Sequence, residues 1–256
     1  MGAETVSSES RVLPRCGYRV PGSTMADRTA VVTGGSSGLG LALAELLGAA
    51  GLGVSIIGRD PDRLRGAVEQ LRGKGVDAEG AVCDVARQDE LRAAFEAISR
   101  RGTIGFLFNV AGVGRFGPVE AITETAIEEV VAGNLRGLML ATAAAIPHLR
   151  AAGGGTIVSV LSTAALVGRA DEAVYCAAKW GARGFMEAVR VALRGSSLRT
   201  LSVYPGGMRT PFWSASSGKS PDVTTYMDPR DVARQILRVA LDPGAAHVTE
   251  MTISRG

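Results

Sequence analysis

The chain has 256 residues, of which 46% are hydrophobic, with a mean hydropathy of +0.18, a net charge of +3 and a pI of about 9.0. This is enough apolar material for a large buried core, and acids and bases alternate along the chain, so no basic face for nucleic acid is indicated. Cys16, Cys83 and Cys176 lie far apart, without histidines at ligand spacing, which argues against disulfides or a metal site and favours a reducing cytoplasm.

Residues 1–26 are rich in Ser, Pro, Gly and charge and lack the apolar core of a signal peptide. We predict that they form a disordered N-terminal extension, with Met25 as an alternative start. The longest apolar run, residues 137–149, contains a proline and a histidine and is shorter than the roughly 20 residues of a membrane helix. No membrane span is predicted.

From residue 27 onward, runs rich in β-branched residues alternate with helical patterns. The runs are continuously apolar, as in strands covered by helices on both faces. This order predicts a single α/β domain over residues 27–256, a Rossmann-type doubly wound fold with a seven-stranded parallel sheet, in which ligands bind at the carboxyl ends of the strands. The strands are predicted at residues 29–33, 53–58, 79–83, 104–110, 156–161, 198–204 and 247–253, with longer helices near 122–150, 172–194 and 229–241.

A glycine-rich loop, TGGSSGLG, follows the first strand at residues 33–40 and opens a helix. Glycines there let the chain turn tightly and let a pyrophosphate approach backbone N–H groups at the helix N-terminus. The spacing differs from G-x-G-x-x-G, and no P-loop lysine follows. The predicted cofactor contacts from this loop are Gly34, Ser36, Ser37, Gly38, Leu39 and Gly40.

The same loop also fits G-x-S-x-G, the nucleophile elbow of α/β-hydrolases, with Ser36 as the nucleophile. Asp242 and His247 follow in the chain order of that catalytic triad. The elbow would fall on the first strand, with no earlier strand loop to supply oxyanion donors. A hydrolase is therefore a remote alternative.

The ends of strands two to four indicate which dinucleotide binds. In NAD-binding proteins an acidic residue at the end of strand two hydrogen-bonds the ribose 2′-hydroxyl, but here strand two ends in Gly58-Arg59. Arg59 therefore favours the 2′-phosphate of NADP(H), and Arg63 is a weaker second candidate for the same contact. Asp84 and Val85 are expected to border the adenine. After strand four, small residues let the chain pass close to the ligand, and the predicted cofactor contacts there are Asn109, Ala111 and Gly112. The Asn109 side chain could instead join adjacent strands by hydrogen bonds.

Tyr175 and Lys179 stand four residues apart on a predicted helix, so both face the same crevice. Lys179 is one of only three lysines among 28 basic residues. A compact ammonium beside a phenol stabilises the phenolate and brings its pKa of about 10 nearer to neutrality. Ser162, at the end of strand five, precedes this pair.

Together these residues resemble the short-chain dehydrogenase/reductase family over nearly all of residues 27–256. The resemblance implies that Tyr175 is the general acid/base, that Ser162 hydrogen-bonds the substrate oxygen, and that Lys179 holds the ribose and lowers the pKa of Tyr175. It further implies that Asn134 holds a proton-relaying water. The motifs are Thr33-Gly-x-x-x-Gly38-x-Gly40, Asn109-x-Ala-Gly112, Asn134, Ser162, Tyr175-x-x-x-Lys179 and Pro205-Gly206-x-x-x-Thr210.

The sequence also indicates how the site is covered and which substrates it accepts. A long Ser-, Gly- and Pro-rich segment, residues 206–227, suggests a lid over the site. The predicted pocket walls carry little acid and favour a bulky hydrophobic ketone, as in actinobacterial ketoreductases that tailor polycyclic aromatic polyketides such as angucyclinones. A steroid, terpenoid or quinone carbonyl fits the same walls, and a catalytically silent NADP(H)-binding sensor is the non-enzyme alternative.

A homodimer or homotetramer is expected, without metal, nucleic acid or membrane. The predicted substrate contacts are Val113, Arg115, Phe116, Leu166, Val167, Met208, Phe212 and Trp213, and the remaining cofactor contacts are Pro205, Gly206, Met208 and Thr210.

Overall fold

The computed structural model describes residues 27–213, 217–219, 221–242, 244 and 246–256. The extension predicted for residues 1–26 lies outside the described residues, as do residues 214–216 and 220 of the predicted lid. The strands are β1 (Arg28–Thr33), β2 (Gly53–Gly58), β3 (Ala78–Val82), β4 (Thr103–Asn109), β5 (Gly155–Val160), β6 (Leu198–Pro205) and β7 (Glu250–Ile253). The α-helices are α1 (Gly38–Ala49), α2 (Pro61–Gly73), α3 (Gln88–Ser99), α4 (Glu124–Val131), α5 (Gly137–Ala151), α6 (Ala173–Ala192) and α7 (Pro229–Ala240).

The seven strands form one parallel sheet in the order β3-β2-β1-β4-β5-β6-β7, which confirms the predicted fold class. The order reverses between β1 and β4, the position at which such sheets open a ligand crevice. The last strand begins at Glu250, three residues later than predicted. Arg199 holds the carbonyls of Asp242 and Gly244 before that point, and pairing with β6 starts only at Ser202.

Alternate residues of each central strand face two different helical layers. Ala30 and Val32 of β1 pack with α1, α2 and α7, whereas Val31 packs with α3, α5 and α6. Burial on both faces explains why the strands read as continuous apolar runs. The sheet is therefore covered on both sides, and its strand ends remain available for a ligand.

The helical pattern near residues 122–150 becomes one long helical segment with an irregular centre. α4 and α5 are joined by a π-helical turn, Ala132–Arg136. The whole segment, Glu124–Ala151, is long and apolar enough to span a membrane by length and composition, a test that a core helix also passes. Here α5 packs against β4 and β5, α4 packs against α6, and Asn134 at the centre is buried, so the segment is a helix of the fold.

Candidate active site

A cleft of about 960 Å³ opens at the carboxyl ends of the strands. It brings together nearly all of the predicted site residues. The predicted residues that line it are Gly34, Ser36, Ser37, Gly38, Leu39, Gly40, Arg59, Arg63, Asp84, Val85, Ala111, Gly112, Val113, Arg115, Asn134, Ser162, Tyr175, Lys179, Pro205, Gly206, Met208, Thr210, Phe212 and Trp213.

The glycine loop crosses from β1 into α1 at one end of this cleft. Gly34 has a φ of +67°, and a Cβ there would lie 2.8 Å from the Cα of Ala111, so a larger residue is excluded. Ser37 is the N-cap of α1 but its side chain does not cap the helix, and the first turn has no acidic residue. The helix N-terminus thus offers backbone N–H groups and a positive dipole end to an anion.

The ends of β1 and β4 are tied together below the loop. The hydroxyl oxygen of Thr33 accepts from the backbone N–H groups of Val110 and Ala111, at 3.1 and 3.2 Å. Asn109 is buried and does not line the cleft, unlike the neighbouring Val110 and Ala111. Its side-chain amide donates to Thr142 and Ser159, which makes it the tie between strands that the sequence also allowed.

The nucleotide-binding end of the cleft carries two arginines. Arg63 pairs with Asp60 at 3.7 Å, and Asp60 also caps α2 by accepting from the backbone N–H of Arg63. Arg59 is exposed and makes no ion pair with the described residues. Arg59 is therefore the cation with the greater freedom to meet a phosphate.

Ser162, Tyr175 and Lys179 converge in the middle of the cleft. Ser162 follows β5, and its hydroxyl oxygen accepts from the backbone N–H of Ala164 at 3.0 Å. The Lys179 ammonium donates to the carbonyl of Val160 at 3.2 Å and lies 5.6 Å from the centre of the Tyr175 ring. Two hydroxyl groups and one ammonium thus share one face, an arrangement that can donate a proton to a carbonyl oxygen.

Burial dominates the electrostatics of these groups in the chain alone. It raises the pKa of Tyr175 above its ordinary 10.0; the nearby Ser162 hydroxyl opposes this rise, and the negative charge of the Glu172 carboxylate adds to it. Burial also lowers the pKa of Lys179 from 10.5 to about 8. The expected lowering of the Tyr175 pKa by Lys179 is therefore absent in the chain alone, because desolvation disfavours the charged form of both groups.

Asn134 occupies the π-helical turn beside Lys179. Its amide nitrogen donates to the carbonyls of Val113 and Val130, at 2.7 and 2.9 Å, while its buried oxygen has no hydrogen-bond partner among the described residues. A Cβ on Gly112 would lie 2.6 Å from that oxygen and 3.8 Å from the Lys179 nitrogen. The unpaired acceptor therefore faces a small space that also meets the ammonium, as a water site requires. Single π-helical turns are frequent at functional sites.

Aromatic side chains pack around Tyr175 at the cleft. Phe116 lies behind the lining, edge-on to Tyr175 at 5.6 Å, and stacks on Trp213 at 5.6 Å. Phe212 packs 5.7 Å from the Tyr175 ring. Two predicted wall residues do not line the cleft: Leu166 packs against the core cluster that includes α6, and Val167 is exposed at the surface. The short 3₁₀ turn Thr163–Ala165 turns both away from the cleft.

Charged residues also line the substrate side, so the prediction that its walls carry little acid needs correction. Arg115 pairs with Glu129 at 2.6 Å, and Lys219 pairs with Glu172 at 3.1 Å. Sequence spacing could have indicated only Glu172, which stands one helical turn before Tyr175. The charged lining residues that were missed are Glu128, Glu129, Arg169, Glu172 and Lys219.

The hydrolase alternative fails on geometry. Ser36 lines the cleft, but neither Asp242 nor His247 does. Asp242 follows α7 and accepts from the backbone N–H of Gly244. Both lie before β7, at the amino end of the sheet, so no triad with Ser36 forms. Within the described ranges, no group of three His, Cys, Asp or Glu residues could hold a metal ion.

A doubly wound sheet, an anion-ready glycine loop and a Ser-Tyr-Lys cluster in one cleft define the class of dinucleotide-dependent oxidoreductases. The model of the family described as short chain dehydrogenase matches residues 28–220. The chain belongs to the short-chain dehydrogenase/reductase family and is an oxidoreductase of that family.

Three similar proteins illustrate this membership. Ketoacyl reductase 1 named for the granaticin polyketide synthase of Streptomyces violaceoruber is 32% identical over 248 residues, covering 87% of this chain and 90% of the relative. A solved variant of an actinorhodin polyketide ketoreductase with NADPH has a TM-score of 0.82 at 28% identity, covering 90% and 97% of the two chains. A metagenomic short-chain oxidoreductase in complex with NADP has a TM-score of 0.78 at 30% identity, covering 90% and 98%.

Proposed function

We propose that this protein is an NADPH-dependent ketoreductase that reduces a ketone of a bulky, hydrophobic, polycyclic aromatic polyketide. The single observation that carries the proposal is the convergence of Ser162, Tyr175 and Lys179 beneath a wall of aromatic rings. The names of the Streptomyces relative and of the actinorhodin structure support the ketone and the substrate class. We further propose a cytoplasmic homodimer or homotetramer.

The residues at the nucleotide-binding end of the cleft fit NADP(H). Gly34 and the uncapped start of α1 suit the pyrophosphate, Arg59 suits a 2′-phosphate, and Lys179 suits the ribose hydroxyls. Arg63 is a second candidate for the phosphate, although its pair with Asp60 competes. When bound, NADPH supplies the hydride for the carbonyl carbon.

The residues of this chain supply the proton and the geometry. Ser162 and Tyr175 each direct a hydroxyl group to the ketone oxygen, and the oxygen becomes an alcohol as Tyr175 gives up its proton. Lys179 stabilises the phenolate that remains, because its positive charge lies 5.6 Å from the ring. A water held between the Asn134 oxygen and Lys179 returns a proton to the site. The aromatic wall excludes bulk water while this happens.

The test follows NADPH absorbance with a panel of polycyclic aromatic ketones. Wild type should turn over at least one panel ketone, with NADPH preferred over NADH. Tyr175→Phe should lose about 10²–10⁴-fold in kcat because the proton donor is absent, and should bind NADPH as wild type does. Steroid, terpenoid and quinone carbonyls form a second panel. Turnover of these compounds alone would mean that the substrate is not an aromatic polyketide. Tight NADPH binding with no turnover of either panel would favour the silent sensor.

A further inference from the structure

A short strap, defined here as residues 217–219, borders the substrate side of the cleft, which Lys219 lines. The backbone carbonyl of Ser217 accepts from the N–H of Phe116 at 2.8 Å, and Ser217 is buried. Gly218 has a φ of +77°, which turns the strap back toward the cleft. Lys219 then lies 5.9 Å from the centre of the Phe116 ring. The strap thus holds the aromatic residue that packs edge-on against Tyr175.

The same strap reaches α6 through Glu172. Glu172 is the N-cap residue of α6, yet its side chain makes no capping hydrogen bond and is 9% exposed. Its carboxylate instead accepts from the Lys219 ammonium at 3.1 Å, across 47 positions of sequence. A buried carboxylate is costly unless it is paired. Lys219 is therefore the group that makes the burial of Glu172 tolerable.

Glu172 and Tyr175 both line the cleft at the start of α6, and the strap reaches Tyr175 through Phe116. Glu172 stands one helical turn before Tyr175, and Asp171 before it has a φ of +61° and accepts, through its backbone carbonyl, from the N–H of Gly117. Loop 114–117 is thus anchored to the strap and to the start of α6. The other titratable groups that line this part of the cleft or flank Tyr175 are Arg115, Glu128, Glu129, Arg169, Cys176 and Lys179.

We propose that Glu172 and Lys219 form a latch, in which the salt bridge holds the strap over the substrate and prevents an unpaired negative charge from facing the Tyr175 phenol during reduction. Both are positioning residues, and the proposal rests on the proposed function of Tyr175. When the strap is closed, the ammonium offsets part of the negative charge that the carboxylate presents to the proton donor. When the strap opens, the carboxylate is left alone beside the phenol and makes loss of its proton harder. Closure over substrate and readiness to donate a proton are thereby coupled.

The first test compares pH profiles of ketone reduction. Activity requires the protonated phenol, so it falls as pH rises through the apparent pKa of Tyr175. In Lys219→Met the unpaired Glu172 charge should move that fall to higher pH by about 0.5–1 unit and raise KM for the ketone several-fold. Adding Glu172→Gln should return the profile to the wild-type pH while KM stays raised. Lys219→Arg should retain both wild-type values.

A merely structural pair would give a different pattern. Loss of activity in Lys219→Met with an unmoved pH profile would overturn the latch, as would a shift that persists in the double variant. Lys74→Met is the matched control, because Lys74 also pairs with a glutamate, Glu45 at 2.5 Å, but lies outside the cleft. It should leave the profile and KM unchanged.

The second test does not depend on activity. Trp213 stacks on Phe116, and with Trp180→Phe it is the only remaining tryptophan of the chain. In this background, Lys219→Met and Glu172→Gln should each shift the Trp213 emission to the red and increase its quenching by acrylamide, whereas Lys74→Met should not. Unchanged emission in both cleft variants would contradict a strap held by this pair. If the emission responds but no ketone is reduced, the proposed function fails while the latch stands.

Discussion

We expect that replacing Lys179 by methionine stabilises the protein in the absence of cofactor, and that it also abolishes the proposed ketone reduction. Lys179 is 4% exposed, and burial lowers its pKa from 10.5 to about 8. At about 1.4 kcal/mol per pKa unit, keeping this ammonium charged in the fold costs about 3 kcal/mol below pH 8. Losing its hydrogen bond to the Val160 carbonyl costs about 1 kcal/mol in return. We expect a net gain of about 2 kcal/mol at pH 7 for Lys179→Met.

The sign of the pH dependence makes this prediction specific. Between pH 8 and 10.5 the unfolded chain binds a proton at Lys179 that the folded chain does not, so the stability of wild type rises with pH over this window. The methionine variant lacks that rise. Its advantage should therefore shrink across the window and become a deficit of about 1 kcal/mol near pH 10.5.

Equilibrium denaturation in urea, without NADPH, measures both effects. Wild type and Lys179→Met are compared from pH 7 to 10.5, and the difference between them cancels contributions from other titrating groups. Lys179→Arg is the matched control: it cannot shed its charge in this range, so it should fall progressively below wild type as pH rises. A difference between wild type and Lys179→Met that is constant with pH would refute the reasoning, because it would mean that the ammonium is not desolvated.

Two further predictions concern the water site beside Asn134 and the arginines at the nucleotide-binding end of the cleft. Gly112→Ala places a Cβ 2.6 Å from the Asn134 oxygen, so kcat should fall at least about tenfold in a steady-state assay; Gly117→Ala, which meets no atom within 4 Å, is the control, and equal losses in both would contradict a close approach. Arg59→Ala should raise KM for NADPH about tenfold, the equivalent of one charge-assisted hydrogen bond, and leave KM for NADH unchanged; a larger loss in Arg63→Ala would instead assign the phosphate to the arginine that pairs with Asp60.

The positions of the strands, the glycine loop and the Ser-Tyr-Lys cluster could be predicted from sequence because each depends on local pattern. Apolar runs fix the strands, and helical spacing puts Tyr175 and Lys179 on one face. The path of the chain beyond a strand end is less readable, since the 3₁₀ turn after Ser162 decides where Leu166 points, and no periodicity encodes it. Leu166 and Val167, which the sequence placed in the cleft wall, do not line the cleft for this reason.

Long-range charge pairs were equally hidden. Glu172 and Lys219 are distant in sequence, and each alone reads as a solvated charge. Only the fold shows that Glu172 is buried. A buried carboxylate is costly without a partner, so the salt bridge to Lys219 matters for the site more than an exposed pair would. The direction of the Tyr175 pKa in the chain alone was missed for the same reason, because desolvation depends on the packing around the phenol.

The π-helical turn at Ala132–Arg136 has a consequence for the register of everything after it. Each residue of an α-helix turns the next by about 100°, and a π-helical turn accommodates one residue more than a regular turn does. Deleting one residue from this turn would therefore rotate the apolar stripe of α5 away from β4 while leaving α4 on α6. The extra residue lets one continuous helical segment pack against α6 through α4 and against β4 through α5. It also places the Asn134 carboxamide at the junction between α4 and α5.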